Sequence, residues 1–184
     1  MAETNRVLDT KLVRANPRRA PIAAALDAIE LLKADHQRVQ RMFRRFAQAR
    51  GREERAALGA KICDLLVVHM RIEEEIFYPA FMQATGDVEM HHEAEVEHDG
   101  VKMLIAQIQR ASPEDAHFTA KIKVLAMMVR HHVQEEEKRD GMFAEARSAG
   151  MDLLALGEEL KTRRDQLKRR MLPRSRISSA AARA

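Results

Sequence analysis

Apolar residues return every three or four positions along four long stretches of the chain, the spacing that gathers them on one side of an α-helix. In the first stretch, Ile22, Leu26, Ile29, Leu32, His36, Val39, Phe43 and Phe46 keep that phase, with Pro21 suited to the opening turn and Gly51 to the close. A second helix is expected from about residue 53 to 84, with Leu58, Ile62, Leu65, Leu66, His69, Glu73 and Ile76 in phase. Pro79 is placed to kink or shorten it. "TGD" at 85–87 reads as a turn, and a third helix covers roughly 88–110. "ASPED" at 111–115 predicts a break with Ser112 as the cap of a fourth helix, which runs from about 116 to 139 and ends near Gly141. Short connections make neighbouring helices antiparallel, so the pattern predicts an all-α fold: an up-down-up-down antiparallel four-helix bundle over residues 21–147. Leu153, Leu156, Leu160 and Leu167 give residues 152–171 one apolar side and predict an additional C-terminal helix within 148–171. Residues 1–20 and 172–184 hold no sustained period and read as disordered, basic or Ser/Ala/Arg-rich tails.

Composition agrees with that reading. A chain of 184 residues suits one domain with a full core, and only seven Gly, five Pro, one Tyr and no Trp make it a poor β-protein. No apolar run approaches the roughly 18 residues of a membrane span, and the first residues hold no signal-like apolar segment, so a cytoplasmic protein is expected. The formal net charge of +4 gathers at the ends, in Arg6, Lys11, Arg14, Arg18 and Arg19 and again in Lys161, Arg163, Arg164, Lys168, Arg169 and Arg170. These basic ends lack interleaved aromatics or a recognition motif, so no nucleic-acid partner is expected. The single Cys63 lies in an apolar stripe and reads as packing. With no nucleophile elbow, phosphate-binding Gly loop or Cys-x-x-Cys pair, the hydrolase, kinase and thioredoxin classes have no support.

The chemistry lies in the histidines. At about 100° per residue, each of the four bundle segments puts one His on its apolar stripe: His36, His69, His98 and His132. "LLVVHMRIEEEIFYPAF" and "LAMMVRHHVQEEEKRDGMF" repeat a His followed four residues later by Glu, as His69 with Glu73 and His132 with Glu136. A lone His on such a face is ordinarily a hydrogen-bonded core residue. Four of them with two carboxylates are costly to bury unless paired with one another or with metal. Residues i and i+4 stack about 6 Å apart, so each His-Glu pair can reach one ion or two adjacent ones. Imidazole and carboxylate without thiolate favour iron, manganese or zinc. Glu74, Glu75 and Glu137 turn away from the stripe and are expected on a solvated face.

Together, His36 after "LLKAD", "HMRIEEEIFYP", "EAEVEHDGVKMLI" and "HHVQEEEKRDGMF" resemble the bacterial hemerythrin-like, or HHE cation-binding, family over about residues 27–147. The resemblance implies a non-haem centre of two iron ions with a bridging oxo or hydroxo group. It would be held by His36, His69, His98 and His132 and bridged by Glu73 and Glu136. Oxygen-carrying members have a further His four residues before the third-helix ligand, where this chain has Ala94. His91 shares that face but stands about 10 Å from His98 along the axis (seven residues at about 1.5 Å each). Glu95 or water could fill the vacant position instead. Tyr78 faces away in a regular helix and would join only if Pro79 distorts it. His131 with Glu135 repeats the spacing of His132 with Glu136 and competes with it. Lys102 could support His98 from one turn away or lie along the surface. His92 and His117 sit near helix starts, where a surface or capping role is expected.

The implied function is to bind, sense or reduce a small oxidant: dioxygen, hydrogen peroxide or nitric oxide. The more open centre argues against simple oxygen storage. The alternative is a metal-stabilised interaction or regulatory protein, for example in iron homeostasis, with the C-terminal helix and basic tail meeting a protein partner or a second copy.

Overall fold

A computed structural model describes residues 26–112 and 114–171, and among these every regular element is helical. The helices are α1 (Ala28–Gln48), α2 (Arg52–Ile72), a π-turn (Glu73–Phe77), α3 (Tyr78–Thr85), α4 (Val88–Arg110), α5 (Phe118–Glu137), α6 (Met142–Ser148) and α7 (Leu153–Met171). The α2, π-turn and α3 segments form one long interrupted helix. With α1, α4 and α5 it makes the four-helix bundle, and α7 lies along α1 and α2.

The helix ends are set by local chemistry, and three differ from the periodicity reading. The first helix starts at Ala28, because the Asp27 carboxylate accepts from the Glu30 N–H at 2.8 Å while the Glu30 carboxylate accepts from the Asp27 N–H at 3.2 Å. That reciprocal cap leaves Leu26 outside the helix and 48% exposed; Pro21 and Ile22, like the tails 1–20 and 172–184, lie outside the described residues. Gly51 does not close α1, which ends at Ala49; it opens α2, with Glu53 and Glu54 in the positive first turn. Ser112 does not cap α5. Its hydroxyl accepts from the Glu114 N–H and the Asp115 carboxylate from the His117 N–H, and these side-chain turns delay the helix until Phe118, 5% exposed, enters the core. Gly86, at φ 72°, ends α3 in the left-handed region.

Two apolar clusters fill the interior. One joins Val39, Phe46, Ile62, Leu66, Ile105, Phe118, Ile122 and Leu125 at one end of the bundle. The other joins Ile29, Leu32, Ile72, Phe77, Phe81, Met142, Phe143 and Leu160 at the opposite end. On each bundle helix the stripe His or Glu falls at the junction of the two. Six ionisable side chains are thus walled off from both ends by hydrocarbon.

Candidate metal centre

His36, His69, Glu73, His98, His132 and Glu136 are all buried, none more than 5% exposed. The four imidazoles meet in two pairs: His36 Nε2 lies 2.9 Å from His69 Nε2, and His98 Nε2 lies 3.1 Å from His132 Nε2. Each carboxylate spans both pairs. Glu73 puts Oε1 3.3 Å from His69 Nε2 and Oε2 3.6 Å from His98 Nε2. Glu136 puts Oε2 3.3 Å from His36 Nε2 and Oε1 3.6 Å from His132 Nε2. Two donor groups result, His36–His69–Glu73 and Glu73–His98–His132, and they share Glu73.

Three imidazoles are fixed from behind. The Nδ1 of His36 meets Glu137 at 2.8 Å, that of His98 meets Glu74 at 2.8 Å, and that of His132 meets Glu97 at 2.7 Å. Glu74 and Glu137 are therefore not a free solvated face; they reach around the helix to orient the ligand ring of a neighbour. Only Glu75 turns fully outward, where it pairs with Arg163 and Arg71. Lys102 and Lys33 back up Glu74 and Glu137 at 2.9 and 3.2 Å. Glu97 carries little signal in the sequence beyond its place one residue before His98. The same Glu97 takes the exposed His131 at 3.3 Å, so it is His132 that enters the centre.

Tyr78 also enters, through the π-turn. The Tyr78 N–H donates to the Glu73 carbonyl, five residues back. In a regular α-helix Tyr78 would stand about 140° round from Glu73, whereas the wide turn returns it to the same face. Pro79 accounts for the irregularity, since it has no N–H for the Glu75 carbonyl and its ring would crowd that oxygen. Tyr78, 1% exposed, donates its O–H to Glu136 Oε1 at 3.2 Å and lies 3.3 Å from His98 Nε2. It stands on the His98–His132 side, the side where Ala94 offers no ligand. Glu95 does not fill that position: its side chain is 53% exposed and turns toward His91.

The donor set fits cations. With Nδ1–H committed to carboxylates, the Nε2 lone pairs of His36, His98 and His132 point inward. Both oxygens of Glu73 and Oε2 of Glu136 are buried without a hydrogen-bond partner among the described residues. Too few hydrogens face too many electron pairs, and buried carboxylates in that position need positive charge. In the metal-free protein, protons supply it. Burial opposes charge on His36, yet Glu136 and Glu137 outweigh it and hold this imidazole up at about 9. Burial and then the neighbouring Glu136 push Glu73 well above the usual carboxylate range. Burial would raise Glu136 as well, but His132 and His36 bring it down to about 2. His69, buried among His36, His98 and His132, is held well below its ordinary value.

The hemerythrin HHE cation-binding domain family matches residues 27–144. This chain belongs to that family. In the crystal structure of a hemerythrin HHE cation-binding domain-containing protein from Mycobacterium kansasii, an Rv2633c homologue, the same fold is found with a TM-score of 0.66 and 26% identity. The match covers 85% of this chain and 96% of that one. A DNA nickase from Nostoc sp. (strain PCC 7120) is 28% identical over 119 residues, 65% of this chain. The chain spans about a third (33%) of that relative's length. Metal binding by a helical bundle is thus a property of the HHE family as well as of this geometry. Among the described residues, no helix is long and apolar enough to cross a membrane.

Proposed function

We propose that this HHE protein holds a pair of iron ions between its two histidine pairs and uses them to bind, sense or reduce a small oxidant, namely dioxygen, hydrogen peroxide or nitric oxide. The observation that carries the reading is the double span of Glu73 and Glu136, each with one oxygen toward either histidine pair. Two carboxylates bridging two imidazole pairs suit two adjacent ions better than one. Zinc or manganese would satisfy the same donor types. When bound, the iron pair supplies reversible one-electron steps on each ion.

The side chains set what such a centre can meet. A cavity of about 270 Å³ reaches His132 and Glu136, and Ala94 and Met142 line it beside Asp87, Glu89, Glu93, Glu97 and Glu135. Among the described residues that line it, Lys138 is the only lysine or arginine, and it is paired to Glu135 at 2.6 Å. An acidic approach admits cations and small neutral molecules and repels anions, nucleic-acid phosphates included. Tyr78 holds its proton toward Glu136, since burial and the carboxylates around it raise its pKa well above the ordinary tyrosine value. It is thus held as a hydrogen-bond donor to Glu136, with its oxygen beside His98. The hydrocarbon at both ends of the centre keeps bulk water from it.

The alternative, an interaction protein with a structural metal, places its partner surface on the basic outer face of α7, because Leu160 and Leu167 of that helix are already buried in the chain.

Metal analysis of protein from iron-replete cells, with its visible spectrum in air, tests the reading. Two irons per chain and a near-ultraviolet charge-transfer band are expected. If Tyr78 joins the iron, a further visible band disappears in Tyr78→Phe. One zinc per chain, or no metal, would remove the redox reading.

A further inference from the structure

Three side chains that the buried centre leaves unused come together on α4. One donor atom each from His91, His92 and Glu95 lies within 4.8 Å of the others. Two features distinguish them from a chance surface cluster. The first is His91, whose side chain is only 17% exposed and whose Nδ1 is shielded from solvent without a hydrogen-bond partner among the described residues. The Glu95 carboxylate beside it stands 3.6 Å away, beyond hydrogen-bond length. An ordinary surface imidazole turns such a nitrogen to water; this one points at the open side of a carboxylate.

The second feature is location. The His91 ring stands edge-on to Tyr78, with centroids 5.8 Å apart and planes at 90°, and the other end of Tyr78 touches His98 and Glu136. One aromatic ring therefore separates the cluster from the buried centre. On the outer side, His92 lines a groove with Glu89 and Glu93, whose charges raise the local concentration of cations.

We propose that His91, His92 and Glu95 form a second metal site, a surface station for one exchangeable divalent cation such as zinc or iron(II). Two imidazoles and a carboxylate are the donor types of borderline cations rather than of calcium or magnesium. Residues 91 and 95 stack on successive turns, and His92 closes the third corner. Three protein ligands leave the remaining positions to water, and the exposure of His92 and Glu95 lets the ion exchange with solvent, unlike one enclosed in the core. The proposal does not depend on iron as the core metal.

The test is calorimetric titration of zinc into the full chain after iron loading. One saturable zinc beyond the core metal is expected. His92→Ala and Glu95→Ala each weaken that zinc by at least about tenfold, about 1.4 kcal/mol, and leave the iron content unchanged. Both residues are exposed, so neither variant endangers the fold. His117→Ala, an exposed imidazole outside both the cluster and the groove, keeps the additional zinc. No saturable zinc beyond the core, or equal zinc binding by all three variants, overturns the site. Should the core take zinc instead of iron, one zinc of the parent chain is still bound at least about tenfold more tightly than its counterpart in His92→Ala, so failure of the iron reading and failure of this site give different results.

Discussion

Of the four imidazoles in the centre, His36, His98 and His132 are gripped at Nδ1 by a carboxylate, and His69 is not. That grip fixes the tautomer and aims Nε2 inward, so Glu97, Glu74 and Glu137 orient the rings without entering the centre. Glu97→Gln replaces a charged acceptor with a neutral one and is expected to weaken metal binding about 10- to 100-fold, measured by competition with a chelator. The protons in the metal-free centre give a second prediction. His36, held at about 9, is charged at neutral pH in the absence of metal and must release its proton when a cation arrives. Metal affinity should therefore rise with pH up to about 9, by up to about tenfold per unit from this group. The metal-free fold responds with the opposite sign. Its pKa is raised from 6.5, so the stability His36 contributes is complete below 6.5 and is lost as pH rises through 9. Calorimetry in buffers of different ionisation enthalpy measures the first, and chemical unfolding at pH 6 and 9.5 the second.

Between residue and bundle, two elements shape the centre. The π-turn lets Glu73 and Tyr78 share a face, which a regular helix forbids. The packing of α7 closes the other flank: Arg163 pairs with Glu75 beside the π-turn, and Arg164 meets Asp35 at 3.1 Å, one residue from His36. This helix can come so near only through Gly157, where a Cβ would strike the Leu26 carbonyl and the backbone of Asp27 and Ala28. A methyl against backbone cannot be relieved by a rotamer change. Gly157→Ala should thus cost roughly 1–3 kcal/mol of stability, read by denaturant unfolding, by lifting α7 from the start of α1. Metal content at low temperature should remain near that of the parent chain.

For the molecule as a whole, the centre ties four helices together at the junction of two apolar clusters. Any ion bound there stabilises the folded state by mass action. At a free-metal concentration about a thousand times Kd the gain is about 4 kcal/mol, which for a chain of this size raises Tm by roughly 8–16 °C. Chelation should reverse that shift, as differential scanning calorimetry would show; an unchanged Tm would mean that no metal holds the bundle. Removal of residues 172–184 separates the two readings: loss of a partner with metal content unchanged would favour the interaction reading.

The helices, their order and the stripe of His36, His69, Glu73, His98, His132 and Glu136 were legible in the sequence because burial imposes a period. A residue that must face the core recurs at helical spacing, and a ligand on that stripe stands out chemically from its apolar neighbours. Helix ends were less legible: Gly51 and Ser112 have the right chemistry for a boundary, but Asp27 with Glu30 and the turns around Asp115 compete for the same backbone groups. Most of what surrounds the centre could be decided only by tertiary structure. Glu74, Glu97 and Glu137 sit off the stripe with the look of solvent-facing acids, and what makes them functional is the distance to a ring on another helix. Tyr78 turns inward through a π-turn that shifts the register on which periodicity depends, and Glu95 turns outward to His91. Periodicity within a helix determines which face is buried. The contacts made across that face depend on how the helices are set against one another, a relation that no local pattern encodes.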